Sequence, residues 1–145
     1  MPSLGFDLLD RHVVQGRAEE VACSDSTGTL SYAELLEQVA ALAGGLRAIG
    51  LGTGDEVEVR VESGNLRVLV VCACIRLGAV PGQGGEMLIV EGASGASAHT
   101  VDDEFDLSFV QRVGKTDPAP SLAADPPGYR ERVSDAFGDV IEALA

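Results

Sequence analysis

The chain has 145 residues, 46% of them apolar and 23% charged, with a formal net charge of −13 and a pI near 4.3. A chain of this length fits one domain and buries roughly 70% of the surface its unfolded form exposes, so neither disorder nor disulfide stapling is needed to account for it. A field this negative repels phosphate backbones and anionic lipid headgroups, which excludes nucleic acid and membrane surfaces as partners.

The opening, MPSLGFDLLDRH, has no basic stretch leading into an apolar one, so it does not read as a secretory signal. Three cysteines, Cys23, Cys72 and Cys74, are too few and odd in number for a disulfide framework, and a cytoplasmic location is expected. Leu4, Leu8, Leu9 and Val13 recur at near-helical spacing and predict a short amphipathic helix over 4–14. Val21–Cys23 reads as a short strand, followed by a turn cluster at Asp25-Ser26-Thr27-Gly28.

Ser31 with Glu34 three residues later forms a capping box. It opens the clearest helix in the chain, in which Leu35, Leu36, Val39, Leu42, Ala43, Leu46 and Ile49 make one apolar stripe up to Gly50. Glu56 to Glu62 alternates valine with charge, the pattern of a strand with one wet face near a sheet edge. Asn65 is placed to cap a helix over 66–77, apolar nearly all round and therefore buried. Its apolar run, Val68–Ile75, is far short of the about 20 residues a bilayer requires. Met87–Val90 reads as a further strand with no charge to protect it, an edge open to pairing with another chain. Residues 92–98, GASGASA, read as a flexible connection, and the alternation of Phe105, Leu107 and Phe109 as a strand over 105–110.

Strand, helix, strand, helix, strand implies an α/β domain with a mainly parallel sheet and flanking helices. Residues 1–113 are expected to form it. Residues 114–128, with four of the six prolines, read as a linker, and 129–145 as an amphipathic helix packing on the same domain.

Residues 30–81 resemble the N-terminal subdomain of the adenylate-forming superfamily of AMP-forming ligases, which includes acyl-CoA synthetases, luciferases and the adenylation domains of peptide synthetases. The resemblance is carried by Ser31-Tyr32 with Glu34-Leu35, the helix end Gly45-Leu46-Arg47, Gly54-Asp55 with Val57, Asn65, and Leu77-Gly78-Ala79-Val80-Pro81. It implies that this stretch is scaffold. The family's chemistry belongs to a later phosphate loop ending in Pro-Lys, to nucleotide contacts, and to a lysine on a separate C-terminal domain. No catalytic residue is thereby carried onto 30–81.

The remaining motifs are weak. GASGASAH, 92–99, has the small residues of a phosphate loop but neither lysine nor Pro-Lys. Gly114-Lys115-Thr116 ends like a phosphate-binding P-loop, but Phe109 stands where its first glycine belongs. RVGKTD resembles the glycine–lysine of the ligase C-terminal domain, which leaves Lys115, the only lysine, as the sole weak catalytic candidate. The glycines of GLGTGD follow a helix and precede a strand, the reverse of a dinucleotide fingerprint. Cys72 and Cys74 fall on different helix faces and read as core. His12 and His99 have no nucleophile or ligand spacing to join, and Asp102-Asp103-Glu104 reads as a solvated charge run. No cofactor or metal ligand set is expected. The chain is expected to be a truncated, non-catalytic ligase-like module that interacts with a partner or with itself as a homodimer. The alternatives are a small-ligand binder for a nucleotide or acyl group, and a ligase part completed in trans.

Overall fold

The computed structural model describes residues 2–62, 64–93 and 95–144. A π-helical turn, Phe6–Asp10, runs into α1 (Arg11–Val14), and a two-stranded ribbon of β1 (Val21–Asp25) and β2 (Gly28–Ser31) leads to α2 (Tyr32–Ala48). Then come β3 (Glu56–Arg60), α3 (Gly64–Leu77), β4 (Val80–Pro81), β5 (Met87–Gly92), β6 (Gly95–His99), β7 (Glu104–Asp106), α4 (Leu107–Gly114) and α5 (Tyr129–Leu144).

The expected capping box is present. Glu34 N–H donates to Ser31 Oγ at 3.2 Å and Ser31 N–H to Glu34 Oε1 at 3.0 Å. The cap of α3 has a different source. Asn65 does not cap it; its N–H donates instead to Asp25 Oδ2 at 2.7 Å, so the ribbon supplies a carboxylate to the positive end of α3. Hydrogen bonds from Thr27 and then from the Asn65 N–H hold Asp25 below its ordinary carboxylate range. Gly64 must be glycine at this junction, because its φ is +77° and a Cβ would stand 2.6 Å from Asp25 Oδ2.

The main sheet has the order β4-β3-β5-β6-β7. It is mixed: β3 pairs in parallel with β4 and β5, while β5–β6 and β6–β7 are antiparallel. The α/β class holds, but the sheet is not mainly parallel: two of its four pairings are antiparallel, and of the parallel strands only β3 and β4 are joined by a helix, α3. Because side chains alternate, Val57, Met87, Ile89 and Ala98 share one face and are fully enclosed with α2 and α3. Glu58, Leu88, Val90, Ser97 and His99 share the other face and are only half-buried.

Several expectations change. Val21–Cys23 does not enter the main sheet; it pairs with β2 across the Asp25–Gly28 turn. Met87–Val90 is central, between β3 and β6, so the edge on which self-association rested does not exist there. β3 lies one strand in from an edge because β4 is only two residues long, matching its half-wet alternation. The segment 92–98 is not a loose connection. Ser94 lies outside the described residues, but Gly95–His99 is a strand whose register closes at Gly92↔Gly95. Phe105–Val110 is not a strand beyond Asp106. Asp106 accepts from Ser108 N–H at 3.3 Å and starts α4, because Leu107, Val110 and Gly114 also satisfy helical spacing and find a buried seat.

That seat is a backbone-to-backbone contact with α2. A Cβ on Gly114 would overlap the Ala41 carbonyl oxygen, one on Gly45 the Val110 carbonyl oxygen, and one on Gly44 the Asp117 carbonyl oxygen. Past α4, residues 115–128 form no helix or strand but remain tied to the core, with Ala119 N–H donating to Ala40 O at 3.0 Å. α5 buries Tyr129, Val133, Phe137, Val140 and Leu144, and Tyr129 O–H donates to Ala79 O at 2.7 Å.

Arg67 joins α3, β3 and α5. It donates to both oxygens of Asp139 at 2.8 and 2.9 Å, to Val61 O at 2.9 Å and to Ala136 O at 2.8 Å. Arg76, only 6% exposed, donates to Asp10 at 2.7 and 3.3 Å and to Ala119 O at 2.6 Å.

Two predictions rest on this packing. Gly114→Ala must push α4 off α2 and cost about 1–3 kcal/mol, while Gly138→Ala, in open space within α5, gains about 0.5–1 kcal/mol; urea unfolding of the two variants measures both. Arg67 holds Asp139 below its ordinary carboxylate value of 3.8. The ion pair therefore contributes stability that is full above that value and lost as pH falls through the lower folded value. Asp139→Asn is expected to cost about 0.5–1 kcal/mol at pH 7, with the difference from the parent chain closing as unfolding is measured below about pH 4.

Candidate functional site

Lys115 follows α4 and is exposed. It borders a groove of about 440 Å³ between α4 and α2, whose other walls are Glu34, Glu37, Gln38, Ala41 and Gln111. Two carboxylates against one ammonium leave this groove net negative, suited to a cation rather than a phosphate. Cys72 and Cys74 are buried in α3. Burial pushes the Cys74 thiol up to about 12 and raises Cys72 as well, so neither supplies a thiolate for nucleophilic attack or metal binding. Among the described residues no group of three or more His, Cys, Asp or Glu is placed to hold a metal ion. No described helix is long and apolar enough to cross a membrane.

His12 is buried, stacks on Tyr32 with ring centroids 4.2 Å apart, and donates from Nε2 to Leu144 O at 2.9 Å. Its Nδ1 has no partner. It latches the end of α5 to α1.

His99 is placed differently, and the sequence reading missed its partners. Ser97 and His99 are two apart on β6, so both project from the half-buried sheet face, where Ser97 Oγ lies 2.9 Å from His99 Nε2. On β7, Glu104 stands in register with His99, and its Oε1 is 3.3 Å from His99 Nδ1. In the tautomer protonated at Nδ1, on the side of the carboxylate, Nε2 accepts from the Ser97 hydroxyl. Leu88 is paired with His99 and Val90 with Ser97, so an apolar strip of β5 runs beside the polar row. The signal in the sequence is Ser-x-His within a strand; the third member needs the β6–β7 register, which turns one carboxylate of the Asp102-Asp103-Glu104 run toward the imidazole.

A second recess, of about 430 Å³, lies where β4 stops. β4 pairs only with Glu56 and Val57, so beyond Val57 that edge of β3 has no strand beside it. The recess is bordered by Val59, Gly82, Gln83, Arg67 and Arg132, with Phe137 of α5 opposite. The Arg67 guanidinium is fully engaged with Asp139, Val61 and Ala136.

Comparison with known proteins agrees with the fold. A family model described as AMP-binding enzyme matches residues 9–82. The chain is 31% identical over 135 residues to an acetyl-coenzyme A synthetase of Burkholderia mallei, covering 81% of this chain and 19% of that protein. It is 33% identical over 86 residues to the mitochondrial acyl-CoA synthetase short-chain family member 3 of Mus musculus, covering 55% of this chain and 13% of that one. Among solved structures it is similar to an artificially fused adenylation–PCP di-domain of Klebsiella oxytoca, at 28% identity, a TM-score of 0.51, and coverage of 56% of this chain and 15% of that one. It is likewise similar to the N-terminal subdomain of NpsA from the same organism in complex with 3-hydroxybenzoyl-AMSN, at 28% identity, a TM-score of 0.51, and coverage of 56% and 20%. The chain thus spans about one fifth or less of the length of these relatives. With the family model matching half the residues, and the strand–helix order of the N-terminal subdomain in place, this chain belongs to the AMP-binding enzyme family.

Proposed function

We propose that these 145 residues form a ligase-family module that does not itself adenylate an acid and serves as an accessory or interaction domain. The observation that carries this reading is what the only lysine faces. Lys115 borders a groove walled by Glu34 and Glu37, and a triphosphate placed there would meet net repulsion. No Pro-Lys pair occurs anywhere in the sequence, so no loop of that type is available to orient the phosphates. Lys115 is on this reading a surface residue without a catalytic part.

The module acts as a single copy. The strand expected to pair with a second chain is interior, and the true edges are the two-residue β4 and the acidic Glu104-Phe105-Asp106 of β7, which are poor templates for pairing. α4 and α5 occupy the helix faces that the scaffold alone would leave bare. A second reading, a small-ligand binder, is favoured by the recess beyond β4, where Arg132 is exposed. Three free cysteines suit a reducing cytoplasm.

Pyrophosphate exchange into ATP, measured with acetate and longer carboxylic acids, is expected to stay at the level of a Lys115→Ala control; robust exchange above that control overturns the proposal. Sedimentation equilibrium at micromolar concentration is expected to return the 15.0 kDa mass of one chain, unchanged in Val90→Lys. A mass rising with concentration would restore the homodimer.

A further inference from the structure

We propose that Ser97, His99 and Glu104 form a nucleophile, base and positioning carboxylate that cleaves short-chain acyl esters on the open face of the sheet. A serine is activated when its hydroxyl lies within about 2.6–3.2 Å of a base that a third group orients. The Ser97 Oγ to His99 Nε2 distance is 2.9 Å, and Glu104 Oε1 reaches the far nitrogen of the ring at 3.3 Å. The order of contacts, hydroxyl to Nε2 and carboxylate to Nδ1, is the one that lets an imidazole take the serine proton while the carboxylate steadies the resulting cation.

The surroundings suit an acyl group. Val90 lies beside Ser97 and Leu88 beside His99 on the same face, both half-buried, so a short apolar chain can lie along β5 with its carbonyl over Ser97. The His99 side chain is 32% exposed, so the row is open to a substrate and to water. The scaffold is rigid at this point, since Ile89 and Ala98, the intervening residues, are fully buried.

The step balances without a cofactor. Ser97 Oγ bonds to the ester carbonyl carbon as His99 Nε2 takes the hydroxyl proton. The tetrahedral adduct collapses, the carbon–alkoxy bond breaks, and His99 returns the proton to the leaving alcohol. Water then attacks the acyl-serine with His99 again as base, releasing the acid and restoring Ser97. The sum is ester plus water to acid plus alcohol. With base activation as the only effect counted, the expected acceleration over a chain lacking the pair is about 10²-fold to 10⁴-fold.

The test uses the intact chain and p-nitrophenyl acetate. Acid quench followed by peptide mass mapping is expected to find an acetyl group on Ser97. Release of p-nitrophenol is expected to fall about 10²-fold or more in Ser97→Ala and in His99→Gln, with melting temperatures unchanged. Glu104 is a positioning residue: Glu104→Gln is expected to slow release about tenfold, and Glu104→Asp to recover part of the loss. Acetylation found elsewhere with Ser97 unmodified, or a Ser97→Ala rate equal to that of the parent chain, overturns the proposal and leaves the three residues as a cross-strand polar network. The mapping on the parent chain decides the matter even if a variant misfolds. Because no ATP is involved, the outcome is independent of whether the chain adenylates.

Discussion

The contact of α4 with α2 is the constraint on which the rest of this structure depends. Three glycines, Gly44 and Gly45 on one helix and Gly114 on the other, remove every Cβ that would hold the backbones apart. Glycine inside a helix costs roughly 0.5–1 kcal/mol relative to alanine, so a pair of them in α2 and another ending α4 is unfavourable in isolation. What offsets that cost is the burial of Val110 and Leu107 against the apolar stripe of α2. Once α4 is seated, Asp117 and Ala119 are carried along α2, where Arg47 and Ala40 hold them. The path of the chain toward α5 is then largely decided.

The second level of organisation is ionic. Asp7, Asp10 and Asp139 are claimed by Arg130, Arg76 and Arg67 in contacts that join segments far apart in the sequence, and Arg130 also holds Asp125, five residues away. Arg130 alone reaches Asp7, Asp125 and the Pro2 carbonyl. These arginines suit the task because a planar fork satisfies a carboxylate and a carbonyl at once. Arg76 would be costly at 6% exposure without them. In a chain of net charge −13, Arg67, Arg76 and Arg130 are thus placed where separate segments meet.

The two faces of the sheet divide the labour. The enclosed face is filled by apolar side chains packed against α2 and α3. The open face sets an apolar strip beside a serine hydrogen-bonded to an imidazole, with a carboxylate oxygen 3.3 Å from the other ring nitrogen. Fold and site are separable here, as they generally are: the scaffold fixes where strands lie, and a few side chains on the exposed rows fix what can happen there.

Much of the scaffold was legible in the sequence. The capping box at Ser31 and Glu34, the apolar stripe of α2, the valine–charge alternation of β3 and the all-round apolarity of α3 are local patterns, and local patterns survive folding when burial agrees with them. What the tertiary structure alone decided were the matters of partner choice. Its unbroken apolar run marked Met87–Val90 as a strand but could not tell that β6 would cover its free edge. The residues 105–110 satisfied both periods, and only the glycine seat on α2 made Leu107, Val110 and Gly114 a helix. Asn65 looked like a cap, yet Asp25 outcompeted it from forty residues away. His99 looked solitary because its carboxylate arrives across a strand register, and register is set by which faces are buried throughout the sheet, a property that no window of sequence contains.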